Sequence, residues 1–148
     1  MITGIGHVAF RITDLDRALA FYRDILGLRE AFRLDRDGEP SPWIVYLQVA
    51  PGDFTELFPG AETASPQPGR DAGYNHFCLL VDDIQVTVRD LGARGLSIDG
   101  EPTKGIDNNY QYWITDPDGN RIELMQIMDG SPHATADARW ATASAATR

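Results

Sequence analysis

What the chain lacks narrows its possible roles before any motif is considered. Cysteine occurs once, as Cys78, which excludes an internal disulfide and cysteine-rich zinc sites and fits a reducing compartment. Basic residues are scarce: 13 Lys and Arg against 22 Asp and Glu give 13 − 22 = −9. A chain of that charge gains nothing from neutralising phosphates, so neither nucleic acid nor an anionic membrane is an expected partner. No apolar run is long enough to cross a bilayer, and Met1-Ile2-Thr3-Gly4 carries no basic stretch leading into an apolar one. The expected location is the cytoplasm.

What is present suits one ordinary globular core: 148 residues, 43% of them apolar. Over residues 7–12, Val8, Phe10 and Ile12 alternate with His7, Ala9 and Arg11, the period of a strand. A helix follows, capped by Thr13 or Asp14, with Leu15, Ala18, Leu19, Tyr22 and Leu26 on one face and Gly27 placed to end it in a left-handed turn. The pattern then returns. Phe77, Leu79 and Val81 alternate after His76, and Ile84, Val88 and Leu91 continue at helical spacing to Gly95, an offset of 76 − 7 = 69 residues. Strand material follows each helix, at residues 43–49 and 54–58 and again at 110–115 and 121–127. The last two are joined by the turn Asp116-Pro117-Asp118-Gly119-Asn120. Further strands at 29–34 and 96–98 would complete a β-α-β-β-β order twice.

The sequence thus predicts an α+β fold of two tandem βαβββ modules, residues 1–60 and 74–128, joined by a Pro- and Gly-rich connector over 61–73. Residues 129–148 are rich in Ala, Thr and Ser, with Trp140 their one large apolar side chain. They read as a flexible tail, or as one that Trp140 pins to a partner subunit.

Four residues share this repetition. His7 and His76 hold equivalent places, each on the strand face turned away from its helix, and Glu56 and Glu123 follow them by 56 − 7 = 49 and 123 − 76 = 47 residues. Glu123 lies between Ile122 and Leu124 in a strand whose alternate positions are core, and Glu56 shares its face with Phe54 and Phe58, where a charge needs a partner. Singly, a strand histidine is most often a hydrogen-bonded core residue and a strand glutamate most often faces solvent. Repetition at matching register points instead to one divalent metal ion, of the class Zn, Ni, Co, Mn or Fe(II), with two coordination positions left for water or substrate oxygens.

The chain resembles the vicinal oxygen chelate superfamily in its glyoxalase I, bleomycin-resistance and dioxygenase branch. The resemblance spans residues 4–128 and rests on Gly6-His7-Val8-Ala9-Phe10-Arg11, Ala18-Leu19-Ala20-Phe21-Tyr22, Thr55-Glu56-Leu57, Asn75-His76-Phe77 and, most specifically, Asp116-Pro117-Asp118-Gly119-Asn120-Arg121-Ile122-Glu123. It implies that the two modules form a cup-shaped, partly open barrel, often completed by homodimerisation, with the metal at its base and a small-molecule substrate facing the ion. The full set His7, Glu56, His76 and Glu123 resembles glyoxalase I. Fosfomycin-modifying enzymes and extradiol dioxygenases usually carry two histidines and one glutamate, methylmalonyl-CoA epimerases usually have glutamine in place of Glu56, and antibiotic-sequestering members generally lack the set.

Arg11 matches an arginine that binds the glutamyl carboxylate of glutathione in glyoxalase I; on its own face it is equally suited to a structural ion pair. Two departures concern the substrate. Glu56 is followed by Leu57-Phe58-Pro59-Gly60, without the asparagine that helps hold glutathione, and residues 104–113 differ from the corresponding stretch of glyoxalases. That stretch should border the cup mouth, which makes Asn109, Tyr110 and Trp113 substrate-binding candidates beside Arg11. Tyr110 and Trp113, with Trp43, Tyr46 and Tyr112, also suit plain core packing. Cys78 reads as a small buried hydrophobe and His133 as a solvated residue.

The leading expectation is a glyoxalase I-like lyase or isomerase that moves a proton through a metal-bound enediolate, with Glu123 as general base and Glu56 returning the proton. The alternative from another class is a dimeric protein that binds and sequesters an antibiotic or other aromatic natural product. A weaker alternative is an Fe(II) extradiol-type dioxygenase or a thiol transferase, for which a fourth protein ligand crowds the ion.

Overall fold

A computed structural model of the chain describes residues 2–64 and 73–146. It divides into two units, Met1–Gln67 with Thr115–Asn120, and Pro68–Ile114 with Arg121–Arg148.

The first unit runs β1 (His7–Ile12), α1 (Leu15–Leu19), β2 (Arg29–Leu34), β3 (Ile44–Ala50) and β4 (Asp53–Pro59), in a four-stranded mixed sheet of order β1-β4-β3-β2. β1 lies parallel to β4, and the other pairs are antiparallel. Of the two candidate caps it is Asp14 that serves α1, its carboxylate accepting the Arg17 N–H at 2.8 Å. The expected single helix changes character midway: residues Ala20–Ile25 are π-helical, which brings the adjacent rings of Phe21 and Tyr22 both into the core. Gly27, at φ 81°, then lets the Leu28 N–H close back on the Tyr22 carbonyl at 3.0 Å. Phe10, Ile12, Val45, Leu47 and Leu57 form the sheet's side of this core.

The Asp116–Asn120 turn belongs to this unit and explains its own sequence. The buried Asp116 carboxylate accepts from the Tyr22 hydroxyl at 2.7 Å, from the N–H groups of Asp118 and Asn120 at 2.9 and 2.7 Å, and from the Asn120 amide at 2.8 Å. Asp118, equally buried, accepts from the Thr13 hydroxyl and N–H and from Arg17. Gly119 provides the φ of 89° that the turn requires. The motif's two carboxylates therefore fasten the turn to the start of α1.

The second unit repeats the plan: β5 (Phe77–Leu80), α2 (Ile84–Ala93), β6 (Thr103–Lys104), β7 (Tyr110–Thr115) and β8 (Arg121–Gln126), in the order β5-β8-β7-β6 with β5 parallel to β8. Asp83 caps α2 through the Val86 N–H at 3.0 Å. Leu79, Val88, Leu91, Ile114, Ile122 and Leu124 fill its core.

Two expectations are corrected here. The strand expected at residues 96–98 is not formed; its place in the sheet is taken by β6, a two-residue strand paired with β7. Leu96 instead closes the end of α2 by bonding to the Leu91 carbonyl at 3.0 Å, and the backbone of Asp99 is occupied by the Tyr112 hydroxyl. The tail expected to be flexible contains a helix, α3 (Pro132–Ala146). The buried Ser131 caps it through the Ala134 N–H at 3.2 Å, and Pro132 takes the first helical position, where its missing N–H costs nothing. Trp140 is exposed on this helix. The expected connector over 61–73 lies mostly outside the described residues. No helix among the described residues is long and apolar enough to cross a membrane.

Candidate metal centre

In the first unit the alternation of β1 buries Phe10 and Ile12 and turns His7, Ala9 and Arg11 to the open face of the sheet. β4 brings Glu56 to that face, buried to 5% exposure. His7 Nδ1 lies 3.4 Å from Glu56 Oε1. Across the β3–β4 ladder Glu56 stands opposite Tyr46, and the hydrogen bond to the Glu56 carboxylate, helped by burial, raises the pKa of the Tyr46 phenol. Tyr46 is also part of an aromatic cluster, with ring centroids 4.2 Å from Phe32 and 6.3 Å from Phe54. Arg11 is exposed, paired in register with Phe58, and forms no ion pair among the described residues.

In the second unit His76 immediately precedes β5, and its Nε2 lies 3.1 Å from Glu123 Oε2. Its other ring nitrogen, Nδ1, is 2.7 Å from the side-chain oxygen of Asn75. An amide oxygen only accepts, so it holds a hydrogen on Nδ1, while Nε2 faces the Glu123 carboxylate at hydrogen-bonding distance. A histidine whose second nitrogen is held by a neighbour in this way is typical of a metal ligand. The Trp113 ring stands edge-on to His76 at 4.8 Å, and the Arg121 guanidinium lies 4.3 Å from the centroid of Trp113. Cys78 pairs in register with Glu123; burial, then the Glu123 charge, pushes its thiol up to about 12, so it is no thiolate nucleophile at neutral pH.

The two units use the same register. β4 sets Glu56 beside Ala9, two residues after His7, and β8 sets Glu123 beside Cys78, two residues after His76. Each histidine thus meets its own repeat's glutamate. Among the described residues no group of three or more His, Cys, Asp or Glu side chains is gathered for a metal; each unit brings one histidine to one glutamate. The donors themselves fit a divalent ion, being neutral imidazole nitrogen and carboxylate oxygen.

The substrate candidates separate. Trp113 is 37% exposed and adjoins His76. Tyr110 is half-buried and pairs with Lys104 at the sheet edge. Asn109, 1% exposed, has its side chain committed to the protein: its amide nitrogen donates to Asp107 at 2.8 Å and contacts His133 Nδ1 at 2.9 Å, and its oxygen accepts the Met128 N–H at 3.0 Å. The same amide holds Asp107 below the usual carboxylate range. His133, expected to be simply solvated, completes that cluster with Asp107 at 3.4 Å. Asn75 and Arg121 were not singled out by sequence reasoning as site residues. Arg121 had a signal, since a residue two before Glu123 on a strand shares its face; the contact of Asn75 with its neighbour's ring has no sequence signature.

The family model described as the Glyoxalase/Bleomycin resistance protein/Dioxygenase superfamily matches residues 4–124. A lactoylglutathione lyase of Haemophilus influenzae is 30% identical over 125 residues, covering 82% of this chain and 91% of its own. A 2-epi-5-epi-valiolone epimerase of an Actinomyces species is 28% identical, with 86% and 81% covered. Among solved structures, lactoylglutathione lyase from Agrobacterium tumefaciens superposes with a TM-score of 0.63 at 26% identity, over 85% of this chain and 95% of that one.

Proposed function

Because the chain belongs to the glyoxalase/bleomycin resistance protein/dioxygenase superfamily, we propose that it is a glyoxalase I-like lyase or isomerase acting on a small molecule with two adjacent oxygens. His7, Glu56, His76 and Glu123 are the ligands of one divalent ion in this reading. The observation that carries it is the pairing of a histidine with a glutamate twice, at the same register of a parallel strand pair. A divalent ion takes about four or more donors, and the two pairs supply four. A homodimer, the assembly the family resemblance implies, is the proposed setting in which they complete one another.

A divalent ion held there would supply charge stabilisation to two adjacent substrate oxygens. The chain's own residues do the rest. Asn75 orients His76, and the Tyr46 hydroxyl orients Glu56. Glu123, on a strand rigidly held by Ile122 and Leu124, takes the carbon-bound proton, and Glu56 returns one on the neighbouring carbon.

Two measurements test this. The purified protein should carry stoichiometric divalent metal that His7→Ala or His76→Ala removes, and it should form lactoyl thioester from methylglyoxal with at least one thiol. No turnover with any thiol or divalent metal sinks the proposal. The aromatic cluster of Phe32, Tyr46 and Phe54 favours one second reading, sequestration of an aromatic natural product, and a metal-free dimer that binds such a ligand would establish it.

A further inference from the structure

We propose that Arg121, stacked on Trp113, is a recognition cation for a carboxylate carried by the substrate handled at the His76–Glu123 pair. Arg121 lies two residues before Glu123 on β8 and so projects from the same face of the sheet. It is half-buried, yet among the described residues it forms no ion pair. Arg17, Arg23, Arg33 and Arg89 each meet a carboxylate within 3.5 Å, so acidic partners are plentiful in this chain and Arg121 is set apart from them. Arg36, whose guanidinium also lies over a ring, that of Trp43, is exposed in a loop and needs no partner.

The stacking determines what Arg121 can bind. A guanidinium whose carbon lies 4.3 Å over an indole centroid still has five N–H donors, which form a fork that matches a carboxylate. A half-buried cation left without an anion carries a desolvation cost that a ligand carboxylate would offset. Trp113 also borders His76 at 4.8 Å, so the fork stands beside the pair. The substrate class that follows is a small molecule that carries a carboxylate, which in a methylglyoxal–thiol adduct comes from the thiol. This deepens the proposed function and rests on it for the word substrate; the anion site itself does not.

The test is therefore run on metal-free protein, where it is independent of turnover. Malonate is titrated at constant ionic strength while the Trp113 indole N–H is followed by NMR, assigned through Trp113→Phe, with malonamide as the uncharged counterpart. Malonate should shift that resonance saturably and malonamide should not. Arg121→Leu should weaken malonate binding about tenfold or more, the loss expected for one charge-assisted contact, and Arg121→Lys should fall between. Equal responses to malonate and malonamide, no response to either, or unchanged affinity in Arg121→Leu overturns the proposal. Should Arg121→Leu fail to fold, the comparison of the two probes on the native chain decides alone. Absence of lyase turnover would refute the function above and leave this titration standing.

Discussion

Replacing Tyr22 by phenylalanine isolates the contact that fastens the Asp116–Asn120 turn to the first unit. Tyr22 is fully buried, Asp116 is 4% exposed, and the hydroxyl donates to the carboxylate at 2.7 Å. Phenylalanine keeps the ring and its contacts with Phe10 and Phe21, at 6.1 and 5.1 Å, so no cavity forms while the hydrogen bond to Asp116 is lost. A bond to a charged group contributes about 1.5–3 kcal/mol. Asp116 retains its donors from Asp118 and Asn120, so it is not left unpaired, and the expected cost is about 2 kcal/mol, within that range. For a chain of this size that lowers Tm by roughly 4–8 °C. With a urea m-value of about 2 kcal/mol per M, the midpoint moves down by roughly 1 M at unchanged m. Urea melts followed by circular dichroism measure it. A midpoint within error of the native chain would show that this contact does not anchor the turn, and with it would go the structural reading of the motif.

Two further substitutions probe the second unit. Asn75→Ala removes the oxygen that holds Nδ1–H of His76, so at a pH where the ring is neutral its ¹⁵N shifts should move from a single tautomer to a mixture, and metal affinity should fall about 10–100-fold. Unchanged ring shifts would refute the assignment. Asn109→Ala leaves the part-buried Met128 N–H without its acceptor and removes the amide that Asp107 and His133 share; the expected loss is about 1–3 kcal/mol. Hydrogen exchange should quicken through α3 if Asn109 ties that helix down, and an unaltered exchange pattern there would exclude the role.

Much of this architecture was legible in residue order because it is local. Alternation of period two placed His7, Glu56 and Glu123 on strands and His76 at the head of one, and Asp14 and Gly27 marked helix ends by chemistry that acts within a few residues. The Ser131-Pro132 start of α3 was legible by the same rules but was masked by the small-residue composition that follows it. The missed strand has a different cause. Leu96 and Ile98 carry the apolar pattern of a strand, but Ile98 folds back onto α2 at Gly92, so the segment packs on its own helix instead of pairing in the sheet, a choice that alternation does not report.

Sequence by itself determined the repeat and the matching places of His7, Glu56, His76 and Glu123 within it, because side-chain chemistry and strand period are properties of order along the chain. Only the tertiary structure decided which nitrogen of each histidine meets its glutamate, that the Asn109 side chain bonds to Asp107 and to the Met128 N–H, and that Arg121 lies over Trp113 beside His76. Those outcomes depend on rotamers and on pairings between segments far apart in sequence, which are selected by packing as a whole.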